Sequence, residues 1–151
     1  MSAARGSGPV LFAYDGSDLA KHAIDEAGRL LEAGGEALIV TVWQPLDVGF
    51  LPAPGFQLDA ADIAAVRKAA AQTAAEGAAL AQAAGFRARS AEIEASPTWK
   101  GIVDLADARQ ARLIVLGSHG RSGLAGALVG SVAGAVAAHA PRSVLIVHRG
   151  S

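Results

Sequence analysis

Several features that often reveal a function are missing from this chain of 151 residues. It has no cysteine, which excludes disulfides, zinc–thiolate sites and thiol catalysis, and is compatible with a reducing compartment. The formal net charge is -1 and the 13 lysines and arginines are spread along the chain, so no basic surface for nucleic acid is indicated. No Gly-Lys-Ser or Gly-Lys-Thr occurs, which excludes a Walker A phosphate loop.

Motifs that would point to catalysis or metal binding are missing as well. Gly-Ser-His-Gly at residues 117–120 does not match the Gly-x-Ser-x-Gly elbow of hydrolases. A receiver domain of similar size would need a late lysine, whereas the last lysine here is Lys100. The remaining histidines lack metal-ligand spacing with a carboxylate or a second histidine: His22, His139 and His148.

Two stretches bear on localisation. Residues 1–8 are polar and lack the apolar core of a signal peptide, so we expect a flexible N-terminus, a domain over residues 9–149 and a cytoplasmic protein. Residues 124–140 are uncharged and carry glycines four apart, a pattern also found in membrane helices. That stretch spans only about 17 residues and is rich in glycine and alanine, so we favour a helix packed on a sheet and expect no membrane partner.

Short β-rich segments alternate with helical patterns along the chain. Most of the β-rich segments are apolar at consecutive positions, which is typical of strands buried on both faces. A long alanine-rich helix is predicted from about Asp59 to Ala84. The alternation predicts the α/β class, with a five-stranded parallel sheet covered by helices on both faces. The predicted strands are residues 10–14, 37–42, 89–93, 113–116 and 144–147.

Capping and breaking residues set the predicted helix ends. Ser17 is placed at the N-terminus of the first helix, and Ser96 is placed before Pro97 at the first position of the third. Gly85 ends the long helix. Residues 44–57 are rich in proline and glycine and are predicted to be irregular. They form either a lid or docking surface or, as we favour, a connector that buries its own apolar groups.

Two polar features are predicted to meet at one edge of the sheet. Asp15 follows the first strand, and a segment with five glycines between Gly117 and Gly130 follows the fourth. In the strand order 3-2-1-4-5 these strands are neighbours, and ligands bind beyond their carboxyl ends at this switch point. Glycine can adopt positive φ and lets backbone N–H groups approach a ligand, while a helix starting near Ser131 adds further N–H groups. A phosphate site is therefore predicted here.

Each polar candidate also has a structural explanation. For Asp15 the functional explanation is a hydrogen bond accepted from a nucleoside, and the structural one is that it caps the first helix together with Ser17. The glycines serve packing alone or ligand approach, and Ser131 is a plain N-cap or a phosphate ligand. Arg121 steers anions or faces water, and His119 contacts phosphate or faces water. For these last two residues we favour the solvated loop position.

The spacing Gly117-x2-Gly120-x9-Gly130-Ser131 resembles the nucleotide motif G-x2-G-x9-G-(S/T) of the ATP-binding branch of the universal stress protein family. The first strand with its Asp-Gly-Ser turn, the fourth strand with the loop after it, and residues 141–147 are similar to the corresponding segments of that family. The resemblance covers nearly the whole chain. It implies a universal stress protein domain over residues 9–149 with a Rossmann-like fold, akin to the adenine nucleotide alpha hydrolases.

The resemblance also implies ligands and contacts at matching positions. ATP would bind with its nucleoside beside Asp15 and Val42, and Mg²⁺ or Mn²⁺ would rely on phosphate oxygens, water and Ser131. A homodimer would form through Val144–Val147, since an apolar edge strand invites pairing. The implied nucleotide contacts are Ala13, Asp15, Val42, Leu116, Gly117, Gly120, Arg121, Gly130, Ser131 and Val132.

Three functions are open at this point. The leading hypothesis is a cytoplasmic ATP-binding universal stress protein that regulates a stress response through an unknown protein partner. The second is a slow ATP hydrolase or autophosphorylating enzyme of the same superfamily, although no positioned general base is evident from the sequence. The third is an interaction module whose glycines are only structural.

Overall fold

The computed structural model describes residues 7–45, 59–120 and 129–149, in which strands and helices alternate. The strands are β1 (Val10–Ala13), β2 (Glu36–Trp43), β3 (Arg87–Glu94), β4 (Leu113–Gly117) and β5 (Val144–Val147). The helices are α1 (Asp18–Leu30), α2 (Ala60–Ala83), α3 (Thr98–Ala108) and α4 (Ser131–His139). All five predicted strands are confirmed, and their ends differ from the predicted ends by at most two residues.

The five strands form one parallel sheet in the order β3-β2-β1-β4-β5. This confirms the predicted order 3-2-1-4-5. The central strand is β1, where Leu11 is paired with Leu38 of β2 on one side and with Ile114 of β4 on the other. Because β1 has a strand on each side, its carboxyl end lies in the middle of the sheet edge.

Side chains of the central strand alternate between two apolar clusters. Phe12 and Tyr14 pack with buried residues of α1 and α2, and the Phe12 ring meets the edge of Phe86 at a centroid distance of 5.4 Å. Leu11 points to the other face and packs with α3 and α4, including the fully buried Ile102. Helices therefore cover both faces, as the consecutive apolar positions of β1 predicted.

Two of the predicted helix ends are confirmed. Ser17 is the N-cap of α1, and its hydroxyl accepts a hydrogen bond from the Ala20 N–H at 3.2 Å. Helix α2 begins with a capping box formed by Asp59 and Asp62. It ends before Gly85, whose φ of +105° is the left-handed conformation that glycine adopts at low cost.

The start of α3 differs from the prediction. Pro97 is the N-cap rather than the first helical residue, because its ψ of 158° is extended. The helix therefore begins at Thr98, and the side chain of Ser96 does not cap it. Thr98 is the first residue of α3 and is half-buried.

The carboxyl end of β2 is tied to α2 and β3. The Trp43 side chain is buried and packs on Val66 and Ala70 of α2. Its indole N–H donates a hydrogen bond to the Glu92 carboxylate, which also accepts one from the Arg67 Nε at 2.8 Å. Strand β2 and the first half of α2 are thereby held together at one point, which we call the Trp43 tie.

Three predictions fall partly outside the described residues. Only residues 7 and 8 of the expected flexible N-terminus and residues 44 and 45 of the predicted irregular segment are described. Within the stretch weighed as a membrane helix, residues 131–139 form α4. Across residues 7–45, 59–120 and 129–149, no helix has both the length and the apolar character needed to cross a membrane.

Two helical glycines provide a matched test of packing. A β-carbon at Gly77 would lie 2.7 Å from Ile39 Cγ2 and from Tyr14 Cδ1, so Gly77→Ala is expected to lower the free energy of unfolding by about 1–3 kcal/mol. At Gly134 the nearest atom would be Val129 Cγ1 at 3.8 Å, so Gly134→Ala is expected to be neutral or stabilising by up to about 1 kcal/mol. Urea denaturation measures both, and equal stabilities would contradict the close approach of α2.

Candidate functional site

A cavity of about 480 Å³ opens at the carboxyl ends of β1, β2 and β4, between α3 and α4. Its volume lies within the range of small-molecule sites. Nine of the ten residues predicted as nucleotide contacts line it: Ala13, Asp15, Val42, Leu116, Gly117, Gly120, Gly130, Ser131 and Val132. The tenth, Arg121, lies outside the described residues. Residues from four separate segments of the chain thus meet in one place.

One part of the cavity wall is apolar. Ala13 and Val42, at the ends of β1 and β2, lie with Leu116 of β4 and with Ile102 and Val132 of α3 and α4. These side chains belong to the apolar cluster on the α3 and α4 face of the sheet. The cavity is therefore an extension of that core to the surface, and it suits a flat apolar group.

The Asp15 carboxylate contributes to the helix start and to the cavity. Its Oδ1 accepts a hydrogen bond from the Ser17 N–H at 2.9 Å, which fixes the turn before α1. Its Oδ2 lies toward the glycine segment, 2.7 Å from the position that a β-carbon on Gly120 would take. The structural explanation weighed for Asp15 is therefore seen at Oδ1, while the carboxylate also lines the cavity.

Gly117, Gly120 and Gly130, the described glycines of the loop, act by close approach and not by positive φ, which corrects the sequence-based explanation for these three. The other two, Gly123 and Gly126, lie outside the described residues. Among the described glycines, positive φ occurs only at Gly16, Gly34 and Gly85. A β-carbon at Gly117 would lie 2.9 Å from Leu19 Cγ, so this glycine allows helix packing. At Gly120 a β-carbon would instead meet the Asp15 carboxylate at the cavity.

Backbone hydrogen bonds around Ser118 close the loop. The Ser118 N–H donates to the Val147 carbonyl at 2.8 Å, and the Ser118 carbonyl accepts from the Gly130 N–H at 2.6 Å. The first bond joins the loop to β5 and the second joins its two described ends. A β-carbon on Gly130 would lie 3.0 Å from the Ser118 oxygen, which explains why glycine suits this position.

Helix α4 begins at Ser131 with its N-terminus at the cavity. The N-cap is Gly130, with extended φ and ψ of -71° and 170°, so the plain N-cap explanation for Ser131 is wrong. The hydroxyl of Ser131 is on an exposed residue of the first turn. In that turn the backbone N–H groups have no acceptor within the helix, and they carry the positive end of its dipole.

The environment of His119 differs from the expected solvated loop. The residue is partly buried and lines the cavity. Its Nδ1 lies 3.1 Å from the Ser118 hydroxyl, a hydrogen-bond distance, and Ser118 itself is buried. The Nε2 atom of His119 is buried and has no hydrogen-bond partner among the described residues. The solvated explanation is therefore wrong for this residue.

Sequence reasoning missed Thr98, which also lines the cavity. It stands in the first turn of α3, and its Oγ1 lies 3.5 Å from the side-chain nitrogen of Gln44. The signal was available in principle, because α3 begins soon after β3 and the carboxyl ends of parallel strands share one edge. Within the described part of the chain, no group of three or more metal-ligating side chains is found.

A family model described as the universal stress protein family matches residues 7–148, and so spans the sheet and the cavity. The chain belongs to the universal stress protein family. The universal stress protein Rv2005c of Mycobacterium tuberculosis is 36% identical to it over 154 residues, which cover 95% of this chain and 46% of that relative. A universal stress protein of Mycolicibacterium smegmatis is 34% identical over 92% of this chain and 45% of its own length. This chain spans about half the length of these relatives.

Solved structures share the fold of this universal stress protein. Hypothetical protein MJ0577 is 20% identical, with a TM-score of 0.79 and coverage of 96% of this chain and 98% of its own. A universal stress protein in complex with cAMP is 28% identical, with a TM-score of 0.64 and coverage of 96% of this chain and 100% of its own.

Two substitutions of Asp15 test the role of its side chain as the acceptor for the Ser17 N–H. Asp15→Asn retains an acceptor for the Ser17 N–H and is expected to leave the free energy of unfolding near that of the parent universal stress protein. Asp15→Ala removes the acceptor and is expected to lower it by about 0.5–1.5 kcal/mol. Thermal and urea unfolding would measure both. An unchanged stability in Asp15→Ala would contradict the helix-start role.

Proposed function

We propose that this universal stress protein binds ATP in the cavity at the carboxyl ends of β1 and β4. One observation carries the proposal: an apolar wall, a carboxylate and a helix N-terminus line a single cavity at the switch point of the sheet. The three features match the base, the sugar hydroxyls and the phosphates of a nucleotide.

The apolar wall would hold the adenine ring, with Val42 and Ala13 at the ends of their strands beside it. The backbone of Val42 would supply hydrogen bonds to the edge of the base. The Asp15 carboxylate, which lines the cavity, would accept hydrogen bonds from ribose hydroxyls. Gly120 supports this geometry, because a larger residue would meet Oδ2.

The phosphates would lie at the N-terminus of α4. The first-turn N–H groups of Ser131, Val132 and Ala133 have no acceptor within the helix, and the Ser131 hydroxyl adds a donor. Asp15 is the only carboxylate lining the cavity among the described residues. An accompanying Mg²⁺ or Mn²⁺ would therefore be held by phosphate oxygens and water, with Ser131 as its protein ligand.

An adenine nucleotide is further supported by the relative that is 28% identical and was solved in complex with cAMP. We prefer ATP to a monophosphate because the spacing Gly117-x2-Gly120-x9-Gly130-Ser131 resembles the motif of the ATP-binding branch of the family. In this proposal the protein is a cytoplasmic regulator of a stress response, and the bound nucleotide changes its affinity for an unidentified protein partner.

Calorimetric titration with ATP, AMP and cAMP tests the proposed site. We expect ATP to bind most tightly, and Asp15→Asn to weaken its binding by roughly 10- to 100-fold, because hydrogen bonds to a charged carboxylate are lost. Gly120→Ala should weaken ATP similarly by displacing the same carboxylate. Gly134→Ala, a glycine substitution in α4 outside the cavity, is the matched control and should bind like the parent.

Two results would contradict the ATP assignment. One is the absence of any adenine nucleotide both in mass spectra of freshly purified protein and in the titrations. The other is equal ATP affinity in the folded Asp15→Asn variant and the parent. ATP turnover faster than about one per second would instead indicate an enzyme, since that rate is the low end of ordinary catalysis.

We also propose that two copies pair through the outer edge of β5. Its partner among the described strands is β4, and its four residues are all apolar. The Ser143 carbonyl accepts a hydrogen bond from Ile114 of β4, and the Val147 carbonyl accepts one from Ser118, which follows β4. Because backbone groups alternate in direction along a strand, those of Val144 and Ile146 face outward, where a second β5 can pair with them.

Ile146→Pro tests the dimer without disturbing the bonds between β4 and β5. Proline removes the outward N–H of residue 146, and proline is tolerated on an edge strand. We expect a dimer for the parent and a folded monomer for Ile146→Pro, measured by light scattering after size-exclusion chromatography. Circular dichroism checks the fold. A parent that is monomeric at high concentration would rule out the pairing.

A further inference from the structure

We propose that His119 donates a hydrogen bond from Nε2 to a phosphate group of the bound nucleotide, an assignment that rests on the ATP site proposed above. The sequence motif leaves position 119 unspecified, so this contact belongs to the chain's own residues. It would make His119 a residue by which the site distinguishes a phosphorylated nucleotide from a nucleoside.

The first observation is an unpaired polar atom. Within residues 7–45, 59–120 and 129–149, Nε2 of His119 is buried and has no hydrogen-bond partner, although the residue lines a cavity large enough for a ligand. Buried polar atoms are nearly always paired in folded proteins, because an unpaired one loses its bonds to water without compensation. Because Nε2 has almost no accessible surface, the groups that cover it must shift when a bound ligand supplies the acceptor that this nitrogen lacks.

The second observation is the position of the ring. Cδ2, the carbon bonded to Nε2, lies 3.7 Å from the place that a β-carbon on Gly130 would take. Gly130 is the N-cap of α4. The imidazole ring therefore lies beside the N-cap of α4, close to the first-turn N–H groups that favour an anion.

The third observation concerns the other ring nitrogen. Nδ1 lies 3.1 Å from the hydroxyl of the buried Ser118. When that hydroxyl donates to Nδ1, a neutral imidazole carries its proton on Nε2, which makes Nε2 a donor suited to phosphate. Ser118 is itself fixed by backbone bonds to Val147 and Gly130, so it is a positioning residue that sets the orientation of the ring.

Two substitutions of His119 distinguish the hydrogen bond of Nδ1 from the one proposed for Nε2. Asparagine places its amide near Nδ1, so His119→Asn can keep the bond to Ser118 but lacks a group at Nε2. Glutamine places its amide near Nε2, so His119→Gln can still donate to phosphate. We propose calorimetric titration of the parent and both variants with ATP and with adenosine, which lacks phosphate.

We expect His119→Asn to weaken ATP binding by roughly tenfold or more while leaving adenosine binding unchanged, as loss of one hydrogen bond to a charged group predicts. His119→Gln should retain most of the ATP affinity. Equal affinity of His119→Asn and the parent for ATP, or equal losses for ATP and adenosine, would overturn the phosphate contact. A parent that binds neither compound would instead overturn the ATP site itself.

Discussion

The parallel pairing of β1 with both β2 and β4 is the constraint on which the rest of the molecule depends. It places the carboxyl end of the first strand in the middle of the sheet edge, with the end of β4 beside it. The turn after β1 and the glycine loop after β4 are far apart in the chain and adjacent in space. Both faces of β1 are covered by helices, so its side chains can only be apolar until the strand ends. Asp15, two residues beyond the end of β1, is therefore the first charged side chain that this part of the chain brings to the sheet edge.

At the site, single residues serve the fold and the cavity together. Asp15 fixes the start of α1 with one oxygen and approaches Gly120 with the other. Ser118 ties the loop to β5 through its backbone and holds His119 through its side chain. Gly130 closes the loop by its N–H and caps α4. The geometry of the cavity is therefore set by the same hydrogen bonds that stabilise the sheet and its helices.

Much of this could be read from the sequence, and the failures have physical causes. Strand positions followed from runs of apolar residues, and the meeting of Asp15 with the glycine loop followed from strand order. The reason for the glycines could not be predicted from the sequence, because close approach to Leu19 or to a carboxylate depends on tertiary contacts that no local pattern encodes. The same holds for His119, whose partial burial depends on the backbone bonds that join Ser118 to Val147 and Gly130. Thr98 was missed although strand order places the start of α3 at the same edge of the sheet.

The Trp43 tie affects where the sequence of this protein can tolerate insertions and deletions. It joins the end of β2 to the first half of α2, so two parts of the chain on either side of residues 46–58 are held together. Those residues connect the two parts. Closing a longer connection between fixed ends costs little, about 0.6 kcal/mol for each doubling of length. Insertions and deletions in this connection can therefore accumulate during evolution while the strand ends that form the cavity stay in register.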